Sequence, residues 1–199
     1  MIAGIDLDRD PVLEAVFAPL LKNKPLKINV VALAGIPSPY DAWCSLLDGT
    51  HTIFVNLSLW DVSRIQSKGR PVILHEITHF LLRQLNRPEP KTPEQQLQDI
   101  VFDEGIAHYV GYPGNRLSLG HDRISERQKA EQELSRALRA LSTRSKLSQA
   151  EKAALLRRAN TGPYWEKYGA IAGMFLVSDI YNKDGPDGVR RYIVKGPSR

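Results

Sequence analysis

His75-Glu76-Ile77-Thr78-His79 places two imidazoles four residues apart with a carboxylate beside the first. On a helix, positions i and i+4 share a face, so both rings can reach one ion at about 2.0–2.1 Å from each nitrogen. Glu76 projects beside them without ligating and can take a proton from a water activated by zinc. With five His and ten Glu in 199 residues, roughly 0.006 such H-E-x-x-H matches are expected per chain by chance. The flanks are apolar, Val72-Ile73-Leu74 before and Phe80-Leu81-Leu82 after. Burying two histidines and a glutamate there without a partner is costly. A pair of hydrogen-bonded core histidines is the plainer alternative, and an ion answers that cost better.

A catalytic zinc takes a third protein ligand and keeps a fourth position open. An extended H-E-x-x-H-x-x-G-x-x-H arrangement fails, because its glycine and third histidine fall on Leu82 and Leu85. The candidate is Glu104, in Phe102-Asp103-Glu104-Gly105-Ile106-Ala107-His108-Tyr109, with Asp103, Asp99 and His108 as alternatives. Gly105 allows close approach of the two helices. His108 lies one turn past Glu104 on the same face; it could support a ligand, bind a developing negative charge, or be an ordinary helix histidine. Asp103 could brace a ligand histidine or be a surface aspartate.

H-E-x-x-H followed by E-G-x-A-x-Y resembles the gluzincin clan of metallopeptidases, the aminopeptidase N group and its small relatives in particular. The resemblance implies a zincin-like fold, Zn2+ held by His75, His79 and Glu104, and Glu76 as general base. It departs in spacing: 24 residues separate His79 from Glu104, longer than usual, and a proline-rich stretch fills the difference. Gly162-Pro163-Tyr164-Trp165-Glu166-Lys167-Tyr168-Gly169-Ala170 resembles the clan's segment bearing a catalytic tyrosine. The usual tyrosine-to-glycine spacing lands on Glu166, so Tyr164 and Tyr168 both stand as oxyanion donors, with Tyr164 favoured at the helix entrance. The resemblance also implies that strand His51–Leu57 is the substrate-binding edge strand. It covers roughly residues 50–112 and 160–195. No G-x-M-x-N element reads a free α-amine, so an aminopeptidase is not favoured over an endopeptidase.

The elements that must position these residues read as follows. Residues 10–22 are a short amphipathic helix. Leu26–Leu33 and His51–Leu57 are strands, with Asp48-Gly49 as a turn between elements. Residues 62–85 are helical, interrupted near Lys68-Gly69-Arg70-Pro71. Three prolines make 86–93 a loop, and Thr92-Pro93-Glu94-Gln95 opens a helix reaching about Val110. Residues 122–142 form a charged helix with an apolar stripe through Ile124, Leu134, Leu138 and Leu141. Ser148-Gln149-Ala150-Glu151 is a capping box for a helix ending near Asn160. Tyr164–Tyr181 is a buried helix, followed by a Gly/Pro turn and a short helix at Val189–Val194. Strands first and helices afterwards predict an α+β fold: a small N-terminal sheet with the site helix, about 1–85, then a mainly helical half, about 92–199, in a single domain of residues 1–199.

Composition narrows the function classes. No run approaches the roughly 18 apolar residues of a membrane span. Residues 1–10 lack the basic and apolar regions of a signal peptide, which leaves the compartment open between cytoplasmic and exported with a trimmed leader. The lone Cys44 excludes an intrachain disulfide and a multi-cysteine zinc site; beside Trp43 it reads as a small buried hydrophobe, with zinc ligation in an inhibited state as the alternative. The formal charge of +5 resides entirely in residues 121–160, which hold ten Lys/Arg and five Asp/Glu. Arg136, Arg139, Arg144, Lys146 and Lys167 could meet a phosphate-rich surface, but no aromatic interleaving supports nucleic acid, so a solvated face is the reading. The expectation is a zinc metallopeptidase acting on a peptide or protein substrate. Its alternatives are a zinc hydrolase of a non-peptide amide and a regulatory binding module that retains the fold.

Overall fold

Asp48 and Gly49 both take positive φ, 49° and 73°, the backbone that a two-residue hairpin loop of the I′ type needs. They join β2 (Ala42–Leu47) to β3 (Thr50–Asn56) in antiparallel register, Leu47 opposite Thr50 and Ala42 opposite Val55. On the other side β1 (Asn29–Leu33) pairs with β3 in parallel, Asn29 opposite Thr52. The sheet order is therefore β1-β3-β2. The computed structural model describes residues 10–21, 28–35, 41–60, 62–142 and 147–197, so Leu26 and Lys27 of the expected first strand, Lys22 of the first helix, and Arg144 and Lys146 of the basic segment lie outside the described residues.

Two sheet expectations are corrected. β3 is the central strand, so it cannot serve as the substrate-binding edge. β2 was not anticipated, because Ala42-Trp43-Cys44-Ser45-Leu46-Leu47 does not alternate and only Cys44 in it is buried. Trp43 stacks on Phe54 across the pair at 5.3 Å between ring centroids, and that cross-strand contact holds the strand where its own pattern does not.

After a 3-10 turn at Leu57–Leu59, α2 (Val62–Arg83) runs without interruption through Gly69 and Pro71. A proline in a helix interior costs about 3 kcal/mol. Ile73, Leu74, Ile77, Phe80, Leu81 and Leu82 are all buried, each worth roughly 1.5–3 kcal/mol, so packing outweighs the breaker. α3 (Pro93–Val110) starts as its sequence predicts: the Thr92 side chain accepts from the Gln95 N–H at 3.1 Å and proline occupies the first turn. The capping box at Ser148 is likewise present and opens α6 (Gln149–Asn160).

Between them lie the short α4 (Leu119–Asp122) and α5 (Ile124–Ser142). Of the stripe expected on α5, Leu134, Leu138 and Leu141 pack partly buried against the core, with Ala130 and Ala137 fully buried beside them, while Ile124 is 51% exposed. A second 3-10 turn, Tyr164–Glu166, leads into α7 (Tyr168–Lys195). As expected, a Gly/Pro break divides this stretch: Gly185 is non-helical, with φ 62°, and the short helix that contains Val189 follows it as the last part of α7. No helix among the described residues is long and apolar enough to cross a membrane. The N-terminal helix α1 (Pro11–Leu21) is tied in by Asp10. Its carboxylate accepts from the Val12 and Leu13 N–H groups at 3.1 and 3.0 Å and from Arg116 at 2.9 Å. Arg116 also donates to the Tyr109 carbonyl at 3.0 Å, capping the end of α3.

The tightest contact in the molecule is α3 against α7. A Cβ built on Gly105 would lie 2.5 Å from the backbone of Gly173, and one on Gly173 would lie 2.0 Å from the Val101 carbonyl oxygen. Gly105 does permit close helix approach, but to α7; the approach to α2 falls at Gly111, whose Cβ would lie 2.6 Å from the Pro71 carbonyl oxygen. Alanine normally stabilises a helix over glycine by about 1 kcal/mol. Here Gly173→Ala should reverse that sign and cost at least 1–3 kcal/mol, roughly the penalty of overpacking a core. A thermal melt followed by circular dichroism should show a midpoint lower by several degrees, and an unchanged or raised midpoint contradicts the packing described.

Candidate metal centre

His75 and His79 lie one turn apart on α2, and α3 packs across them with Glu104. The two Nε2 atoms are 3.0 Å apart. One Glu104 oxygen is 3.4 Å from His79 Nε2 and the other 3.5 Å from His75 Nε2. A tetrahedral ion with bonds of 2.0–2.1 Å needs donors about 3.3 Å from one another. Two imidazoles and a carboxylate at these separations fit zinc in both donor type and spacing.

The groups around the donors fix their orientation. His108 is buried, and its Nδ1 donates to the Glu104 backbone carbonyl at 2.9 Å, a bond along its own helix. The same Nδ1 is 3.5 Å from a Glu104 carboxylate oxygen. Its ring sits edge-on to His75, with centroids 4.6 Å apart. Glu104 also accepts a hydrogen bond of 3.0 Å from the Asn160 side-chain amide, at the last residue of α6. Nothing in the sequence marks Asn160 as a site residue; it lies 56 residues downstream, at the end of a helix read only from its capping box.

Burial and mutual charge set the protonation of the cluster. Burial holds His75 well below the usual imidazole range, with the charges of His79 and His108 adding to it. His108 is pushed down to about 4, again chiefly by burial, with Glu104 opposing. Both are thereby kept neutral, as a metal ligand must be. Burial alone would lower His79, but its hydrogen bond and charge contact with Glu104 prevail and raise it. Burial alone would raise Glu104; the His79 hydrogen bond and the charges of His79, His75 and His108 outweigh that and hold it well below the carboxylate range. Glu76, also buried, is raised by burial, and Glu104 adds to the rise against His79, Arg83 and Lys167.

The remaining candidates are placed as follows. The Tyr164 ring lies against His108, centroids 5.3 Å apart, and its hydroxyl donates to the Met174 sulfur at 3.6 Å. Tyr168 is not brought to the cluster. It is buried in a separate core with Leu97, Ala137 and Ala159, and its hydroxyl donates to the Leu155 carbonyl at 2.8 Å. The break at Lys167 between the 3-10 turn and α7 separates the two tyrosines, and of them only Tyr164 lies against the cluster. Asp103 pairs with Arg87, and the charge of Asp99 acts on Asp103. Cys44 is buried in β2, its thiol pushed up by burial. His51 packs on the Phe80 ring at 3.8 Å, and His121 is exposed beside Asp122.

Comparison with protein-family models, curated proteins and solved structures gives no significant match.

The donor geometry predicts one zinc per chain. His75→Ala, His79→Ala and Glu104→Ala should each weaken binding by well over 100-fold, and Asn160→Ala by about 10–100-fold, the usual effect of removing a partner that orients a ligand. Tyr168→Phe should leave affinity unchanged. Competition against a chromophoric chelator measures all five; full affinity in Glu104→Ala would remove Glu104 from the ligand set.

Proposed function

We propose that the chain is a zinc-dependent metallopeptidase with a zincin-like fold, of the gluzincin type that its two motifs resemble. The observation that carries the reading is the convergence of His75, His79 and Glu104 from two helices at zinc spacing, with Glu76 buried next to them and not spent as a ligand. A purely structural site has no use for such a carboxylate. When bound, zinc supplies Lewis acidity toward a carbonyl oxygen and makes water a stronger acid.

The chain's own residues do the rest. Glu76, its pKa raised, is a stronger base than a solvated carboxylate; it takes the proton of the attacking water and delivers it to the leaving amine. Asn160 and His108 hold Glu104 in place from two directions. Tyr164 donates only to a thioether sulfur, a weak acceptor. Its O–H therefore gains by turning to an oxyanion as one develops, which is the condition for stabilising the transition state over the ground state. His108, neutral and buried against Tyr164, keeps that ring in position.

A second reading has one specific observation in its favour. One donor atom each from His75, Glu104 and His108 lie within 4.8 Å of one another, so His108 could complete a four-residue set with His79. A closed set of that kind belongs to a structural zinc, and hence to a regulatory module or a latent form. Cobalt-substituted protein separates the two. An open site changes its visible spectrum when a hydroxamate is added; a closed one does not.

For the catalytic reading, Glu76→Gln should lower turnover of a peptide library by at least 10²–10⁴-fold, about the contribution of a general base, while zinc content stays at one per chain. Chelation should abolish cleavage and zinc should restore it. Cleavage that survives Glu76→Gln rules out the mechanism proposed. Cleavage of small amides but no peptide would move the substrate class to a non-peptide amide.

A further inference from the structure

The rings of Tyr164, Trp165 and Tyr112 and the Arg123 guanidinium form a wall beside the candidate metal centre, of which the proposed hydrolysis uses only the Tyr164 hydroxyl. Rings lead outward from the ligands in sequence: His75 to His108 at 4.6 Å, His108 to Tyr164 at 5.3 Å, Tyr164 to Trp165 at 5.0 Å. Tyr164 is 38% exposed although it packs on the buried His108 and Met174. Its ring and that of Trp165 stand at 80° to each other, an L-shaped corner. A third ring placed in such a corner can stack on one wall and meet the other edge-on, both favourable for aromatic quadrupoles.

The corner is held rigid from behind. The Arg123 guanidinium lies over the Trp165 ring at 5.1 Å, and Tyr112 meets Trp165 edge-on at 6.3 Å. Arg123 is in turn bonded to the Tyr112 hydroxyl and paired with Glu126 at 3.3 Å. Its charge is thus paired within the wall although the side chain is 45% exposed, so the wall presents aromatic rings beside a paired cation. Little ordering remains to be done when a ligand arrives, and that favours affinity.

We infer that Tyr164 and Trp165 form a side-chain subsite that selects an aromatic residue next to the scissile bond, which makes the substrate class peptides bearing Phe, Tyr or Trp at that position. This rests on the metallopeptidase reading. A peptide whose carbonyl carbon sits at the donors has its own Cα only about 1.5 Å away, so the side chain there starts next to the rings that lead outward from the ligands.

The test uses the full chain, zinc-loaded, carrying Glu76→Gln so that peptides bind without being cut. Fluorescein-labelled, end-blocked pentaglycine peptides with a central Phe, Ala or Asp are titrated by polarisation. The Phe peptide should bind about 10-fold or more tighter than the Ala peptide, the scale of an aromatic contact plus its burial. Adding Trp165→Leu should bring that ratio below about 3. Equal binding of Phe and Ala overturns the proposal, as does a preference that persists in Trp165→Leu. If that variant does not fold, Arg123→Gln withdraws the support behind Trp165 and should reduce the ratio; an unchanged ratio also overturns it. The two readings fail separately. Wild-type cleavage indifferent to the ring sinks the subsite and leaves the peptidase, whereas ring-dependent binding with no cleavage of any peptide sinks the peptidase.

Discussion

The metal centre depends on the approach of α3 to α7 at Gly105 and Gly173. With no Cβ on either residue the two backbones meet directly, and a methyl on Gly105 would sit 2.5 Å from its neighbour. That contact presses α3 toward α2 on its other side, where Gly111 lets it close onto Pro71 and His75. Glu104 and His108 fall between the two glycines. The separations of 3.4 and 3.5 Å between Glu104 and the two histidines follow from this crossing, because those side chains come from two helices whose spacing is set elsewhere. Zinc bonds tolerate errors of about 0.2 Å, while one methyl in the crossing would displace a helix by more than that.

The site is costly to the fold that carries it. Three histidines and two glutamates sit among Leu74, Ile77, Phe102 and Ile106, a setting that penalises every charge. The arrangement survives because its members answer one another: His79 and Glu104 stabilise each other's charged forms, and His75 and His108 stay neutral. Asn160 supplies a further hydrogen bond to the Glu104 carboxylate. Burial is also what separates the two glutamates, since the same apolar setting that Glu104 overcomes with three imidazoles leaves Glu76 more basic.

What the sequence reveals follows from how local the determinants are. H-E-x-x-H is legible because one helix holds all its members, and Glu104 because a glycine and a neighbouring histidine mark its turn. The caps at Thr92 and Ser148 are local and were readable in the same way. Pro71 misled because a breaker's cost is local while the burial that overrides it is not. β2 was missed because Trp43 gains its partner across the sheet, and the central place of β3 became visible only with β2 paired beside it. Tyr164 and Tyr168 are one turn apart, so only the packing of α6 decides which of them faces the donors. Asn160 carried no signal at all.

Asn160 also dates the site's assembly during synthesis. All the proposed ligands lie between residues 75 and 108, yet the amide that steadies Glu104 ends α6, and the glycine that seats α3 lies at 173. A nascent chain that has exposed only its ligand residues holds them on two helices with nothing to set their spacing. Donor spacing fit for a metal therefore requires the chain through Gly173, and a segment carrying the candidate ligands alone lacks the contacts that set it.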